Sequence, residues 1–153
     1  MVRKLILVGL ILVPVAAFAA KPEQSLRPDV PFQVQQANVR SDLSAGEVYS
    51  EIAAADRDKV LAALDRVSAV VGEGTVDALP PEHKESALKD QEMVNAVLDK
   101  ARSDSRLICT REKPMGSNMP VRQCLTAAQR ERNRQNTLQW QTTGGGRNAT
   151  LGN

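Results

Sequence analysis

Aromatic side chains are scarce in this chain: two Phe, one Tyr and one Trp among 153 residues, or 3%. That leaves few large anchors for a core and few stacking platforms for nucleic-acid bases. Histidine occurs once, at His83, and cysteine twice, at Cys109 and Cys124. These residues make no cluster with metal-ligand spacing, and two cysteines are too few for a disulfide-dense miniprotein. No G-x-S-x-G nucleophile motif and no phosphate-cradling glycine loop occurs. Beyond residue 20 there is no long apolar run, which argues against a multi-spanning membrane protein. With 9 glycines the chain is not collagen-like either. What is present is ordinary for a folded domain: 42% hydrophobic and 25% charged residues.

The first segment carries a targeting signal. Met1-Val2-Arg3-Lys4 is a basic start, Leu5 to Val15 is apolar apart from Gly9 and Pro14, and Ala17-Phe18-Ala19 is a small-x-small cleavage site. This is the pattern of a secretory signal peptide over residues 1–19, with cleavage expected between Ala19 and Ala20. The alternative is a membrane anchor. Leu5 to Ala20 would make a helix of about 24 Å, short of the ~30 Å apolar core of a bilayer. No stable membrane span is expected after cleavage. No Cys follows the cleavage site and no Arg-Arg pair precedes it, so the general secretory route to the periplasm or the exterior is expected.

Loss of Arg3 and Lys4 would leave 18 basic and 18 acidic residues, unevenly distributed. Residues 21–105 hold 10 basic and 16 acidic side chains, whereas residues 106–153 hold 8 basic and 2 acidic. A net charge of −6 therefore faces one of +6, and this asymmetry is the main physical oddity of the sequence.

Periodicity predicts a mainly α (α+β) fold: a small helical bundle, then a disulfide-closed β-hairpin and a C-terminal basic helix. Residues 20–31, with Pro22, Pro28 and Pro31, are expected to form a flexible leader. The helical region spans 32–105. Phe32, Val39 and Leu43 have helical spacing, and Gly46 follows as a C-terminal stop. Val60, Leu61, Leu64, Val67, Val70 and Val71 form an apolar stripe, opened by Asp56 and Asp58 and closed by Gly72-Glu73-Gly74. Pro81 suits a first helical turn. A short helix is expected to about Leu88, then another from Asp90 to about Ser103, with Met93, Val94, Val97, Leu98 and Ala101 inward. The series Asp56, Val60, Leu64, Arg66 echoes 34 residues later as Asp90, Val94, Leu98, Lys100. That is the tetratricopeptide period without that repeat's Trp, Gly and Tyr.

Residues 106–142 should hold the disulfide hairpin and the basic helix, with a disordered tail over 143–153. Leu107 to Glu112 and Val121 to Leu125 are strand-like, and Thr126-Ala127-Ala128-Gln129 fits a capping box. In an oxidising compartment Cys109 and Cys124 are expected to pair. A turn on Gly116-Ser117 would set them directly opposite. Pro120 would then occupy a hydrogen-bonded rung without an N–H, so a wider loop from Lys113 to Pro120, with the same symmetry, is preferred. Redox chemistry, the alternative role, generally uses C-x-x-C at a helix N-terminus, and neither feature is present.

The segment Cys109-Thr110-Arg111-Glu112, Gly116-Ser117, Cys124-Leu125-Thr126 resembles the C-x-R-E…G-S…C-x-T segment of a family of small bacterial secreted proteins without assigned activity. Tyr49-Ser50-Glu51-Ile52 and Asp90-Gln91-Glu92-Met93 extend the resemblance over roughly residues 42–134. It departs from the family's pattern at Thr110, where Arg is expected, and at Ala53, where a Ser cap is usual. The resemblance implies the hairpin and no mechanism.

His83 is expected on the surface, and the many carboxylates between Glu47 and Asp104 on solvated helix faces. Asn148-Ala149-Thr150 matches a glycosylation sequon, expected to be coincidental in a loose tail. No catalytic residue, metal site or cofactor is predicted, and a hydrolase is the enzymatic alternative. The candidate anion-binding residues are Arg106, Arg111, Lys113 and Arg122 on the hairpin, with Arg130, Arg132 and Arg134 on the helix. The expected function is a secreted or periplasmic non-enzymatic interaction or structural protein with an envelope protein partner. The alternative is a binder of anionic polymers, nucleic acid or lipopolysaccharide, through this basic third. The bland possibility is that the arginines dock on the protein's own acidic helices.

Overall fold

Helix α1 spans Phe32–Ala45, α2 Ala54–Val71 and α3 Pro81–Ser105, with a 3-10 turn over Val76–Ala78 between the last two. Strands β1 (Leu107–Glu112) and β2 (Val121–Thr126) then pair antiparallel, and α4 covers Ala127–Thr143. The computed structural model describes residues 25–143. The signal-peptide segment, the leader before residue 25, and the tail beyond residue 143 with its Asn148 sequon lie outside the described residues. The architecture is the expected one: mainly helical, with a small disulfide-joined hairpin and a C-terminal helix.

One core holds the helices together. Phe32, Val39 and Leu43 of α1 meet Val60, Ala63, Leu64 and Val67 of α2, and Ala87, Val94, Leu98 and Ala101 of α3 complete the cluster. The spacings are mostly three, four or seven, one or two helical turns, so each helix turns one apolar stripe inward. Gly46 ends α1 in the left-handed conformation at φ 68°, its N–H donating to Asp42. The backbone N–H of Phe32 donates to Gly74 O at 3.1 Å, which fastens the start of α1 to the turn after α2. Charged pairs line the outside: Arg66 makes a two-armed contact with Asp90 at 2.6 and 3.0 Å, and Arg40 pairs with Asp65.

Two expectations need correction. The helix from Pro81 does not break near Leu88 but runs unbroken to Ser105. Ala87, Gln91, Val94 and Leu98 are all buried, so the inward stripe passes through one polar residue. The leader is also not loose in its described part. Leu26 is buried, its N–H donates to Asn95 Oδ1 at 2.7 Å, and Asn95 Nδ2 donates back to Leu26 O at 3.1 Å. Asp77 N–H donates to Pro28 O, adding a second stitch. The 34-residue echo links unequal positions: Asp56 sits in the first turn of α2, whereas Asp90 lies in the middle of α3.

Candidate functional site

The hairpin grows out of the bundle at a single junction. Ser105 ends α3, and Ala127 N–H donates to Arg106 O at 2.9 Å, closing the ribbon's base. Register then pairs Leu107 with Thr126, Cys109 with Cys124, Thr110 with Gln123 and Arg111 with Arg122. The cysteines form the disulfide, closing a loop of 15 residues with 4.0 Å between their Cα atoms. In the chain-entropy picture such a loop contributes about 3 kcal/mol. The loop at the tip is the wider form. Ser117 N–H donates to Pro114 O at 3.0 Å, and Gly116 supplies the positive φ, 81°, that this kind of turn requires at its third position. Pro120 stands just outside β2, so its missing N–H interrupts no ladder.

Strand alternation sorts the ribbon into two faces. Ile108, Thr110, Gln123 and Leu125 belong to the face that meets the first turns of α4, where Arg130 Nη2 donates to Thr110 Oγ1 at 2.9 Å. The opposite face carries the disulfide, Arg111 and Arg122, and these four residues are exposed, as is Leu107 at 65%. Arg111 and Arg122 are direct cross-strand partners, two rungs from the disulfide. Like charges set opposite one another on a ribbon are destabilising.

The seven candidate cations divide into two groups. On α4, Arg132 pairs with Glu51 at 3.0 Å, Arg134 pairs with Glu131 at 2.6 Å, and Arg130 is half-buried against Thr110. Arg130 and Arg132 thereby tie α4 to β1 and to the turn after α1, while Arg134 is paired within its own helix. On the hairpin, Arg106, Arg111, Lys113 and Arg122 are exposed, and none pairs with a carboxylate among the described residues. The structure thus separates cations that the sequence presents as one patch.

Glu51 is the residue that sequence reasoning did not single out. It follows α1 in a short turn, only 12% of its side chain is exposed, and it joins three elements. Its N–H donates to Ser105 Oγ at 2.9 Å, its Oε1 accepts from Thr126 Oγ1 at 2.7 Å, and its Oε2 faces Arg132. The Thr126 hydroxyl, and after it the Arg132 guanidinium, hold the carboxyl below its ordinary pKa. Thr126 also caps α4 as expected: Gln129 N–H donates to Thr126 Oγ1, and Thr126 N–H donates to Gln129 Oε1, both at 3.1 Å. Among the described residues, Glu51–Arg132 is the one ion pair between the acidic and basic halves. The opposed net charges therefore meet at one point.

His83 lies exposed in the first turn of α3. Among the described residues no group of three or more His, Cys, Asp or Glu is placed to hold a metal ion, and no helix is long and apolar enough to cross a membrane. Trp140, the one indole, is exposed on the distal part of α4 and is not part of the hairpin. No family model matches this chain, and neither a curated protein nor a solved structure matches it.

Proposed function

We propose that this is an exported, non-enzymatic interaction protein whose stapled hairpin is a cationic contact surface for anionic groups of the cell envelope. The observation that carries the reading is the division among the cations: Arg106, Arg111, Lys113 and Arg122 have no carboxylate partner among the described residues, while the arginines of α4 are engaged. An unneutralised Arg111–Arg122 pair weakens the ribbon it sits on, and an incoming anion relieves that repulsion. Export is supported by the basic start, the apolar run and the Ala17-Phe18-Ala19 site, and by a cysteine pair in its oxidised form. The periplasm is the compartment proposed. The resemblance to small secreted bacterial proteins is consistent with that placement and adds no activity.

The test is retention on an immobilised sulfated polyanion, read as the salt needed for elution. Replacing Arg106, Arg111, Lys113 and Arg122 by Gln should move elution to much lower salt, with the log–log salt slope falling by roughly one unit for each cation removed. Arg134→Gln should shift elution far less than the fourfold change, since that side chain is paired with Glu131 and lies off the hairpin. Equal retention of the fourfold variant and the wild type would refute the reading.

A further inference from the structure

The tip of the hairpin carries apolar side chains where a soluble ribbon has no use for them. Met115 is fully exposed, Met119 is 76% exposed and Val121, the first residue of β2, is also exposed. All three lie within seven residues of one another, around a turn bounded by Pro114 and Pro120. The loop from Lys113 to Pro120 contains no acidic residue. Behind the tip come the cations: Lys113 at the loop's start, then Arg111 and Arg122 on the exposed face. Glu112, the nearest carboxylate, belongs to the other face and accepts from Thr110 Oγ1 at 3.1 Å.

An apolar end backed by a basic collar is the pattern of a segment that enters the interfacial zone of a membrane. Resting on the proposed cationic hairpin, we infer that its partner is an anionic lipid surface, with Met115 and Met119 entering the acyl boundary and Lys113, Arg111 and Arg122 meeting the phosphates. The dimensions agree. Lys113 is two residues from Met115, about 7 Å along an extended chain, and Arg111 about 13 Å. Interfacial segments seat their apolar groups about 5–10 Å into the headgroup boundary, which leaves the collar at and just above the phosphate level. Unbranched, polarisable methionine side chains adapt to irregular acyl packing. The disulfide keeps the ribbon from splaying as it enters. Charge selects the lipid: the three cations of the collar outnumber Glu112, the one carboxylate among them, so the collar is drawn to the negative surface potential of anionic lipids, which a zwitterionic bilayer lacks.

The test uses the oxidised chain from Ala20 to Asn153 and vesicles of phosphatidylglycerol with phosphatidylcholine, against phosphatidylcholine alone. Sedimentation should show binding to the anionic vesicles at least tenfold stronger than to the neutral ones. Met115→Gln with Met119→Gln, which adds no charge, should lower that binding about tenfold while leaving polyanion elution unchanged. With Trp140→Phe as background, Met115→Trp should shift its emission to the blue on anionic vesicles and be quenched by brominated acyl chains. Binding to vesicles that ignores the methionine changes, or an indole at position 115 that stays in water, overturns the inference and leaves the polyanion reading standing. So does equal binding to neutral vesicles, or self-association that the two Gln substitutions abolish. Loss of both vesicle and polyanion binding in the wild type would instead remove the proposed function beneath it.

Discussion

The helical half and the hairpin solve the problem of staying folded in opposite ways. In the helices Phe32, Val60, Leu64, Val94 and Leu98 are sealed from water, and most surface cations have a carboxylate partner, as Arg66 has Asp90 and Lys100 has Asp104. The hairpin buries little. Its order comes from a covalent bond, from six rungs of pairing and from a base clamped by Thr126 and Ala127. Where hydrophobic burial supports a segment, nearly every described cation has a carboxylate partner. Where a disulfide supports it, positive charges and methionines stand in solvent. A staple permits a surface that burial would not, because its stabilisation does not depend on what the side chains touch.

The largest expected effect breaks the helical side of that contrast. Phe32→Ala should cost about 3–5 kcal/mol, since the ring is fully buried among α1, α2 and α3 and its removal leaves a cavity. Met115→Ala, a smaller truncation at a fully exposed position, should alter stability by less than about 0.5 kcal/mol. Denaturant titration of both variants checks the pair; comparable losses would show that the tip is packed in solution. Next comes the staple. Replacing Cys109 and Cys124 by Ser should remove about 3 kcal/mol from the hairpin in the chain-entropy picture. Amide exchange should then accelerate over β1 and β2 while protection of α2 and α3 is retained. Equal acceleration in both halves would mean one cooperative unit.

Much of this fold is legible in the sequence because it follows short-range rules. The stripe on α2, the Pro81 start of α3, the capping box at Thr126 and the opposition of Cys109 to Cys124 each depend on residues within a few turns or one loop. The failures are also instructive. Gln91 faces inward from the middle of α3, so a polar letter interrupts the apolar stripe and one helix looks like two. Leu26 is anchored by Asn95, 69 residues away, and nothing local in a proline-rich stretch announces it. The candidate site shows the same division. Its cations are visible, but the engagement of Arg132 depends on Glu51, 81 residues away in the chain.

Glu51 offers an intermediate effect where the two regions join. Glu51→Gln keeps the size of the side chain but loses the charge that meets Arg132 and the Thr126 hydroxyl, and should cost about 1–3 kcal/mol at neutral pH. Because the folded state holds this carboxyl below its ordinary pKa, its contribution is complete above the unfolded value near the usual carboxylate range. The contribution declines as pH falls through the lowered folded value. Stability of the wild type minus that of Glu51→Gln should therefore shrink on acidification and reach a constant once both forms are protonated. A difference that is flat between neutral and strongly acid pH would show that Glu51 makes no charged contact.

The smallest effect on stability separates folding from function most sharply. Arg111 and Arg122 oppose each other directly, and the fold gives neither a carboxylate. Arg111→Glu would replace repulsion by an attractive cross-strand pair and should stabilise the hairpin by roughly 0.2–1 kcal/mol. The same change removes one positive charge from the collar and sets a negative one beside Arg122. Polyanion elution should shift to lower salt in the variant that is the more stable of the two. A residue kept for architecture would respond the other way, with its replacement costing stability. Measuring thermal stability and elution on the same preparation decides between them: a gain in the first with a loss in the second identifies Arg111 as a group held against the fold's own electrostatic preference.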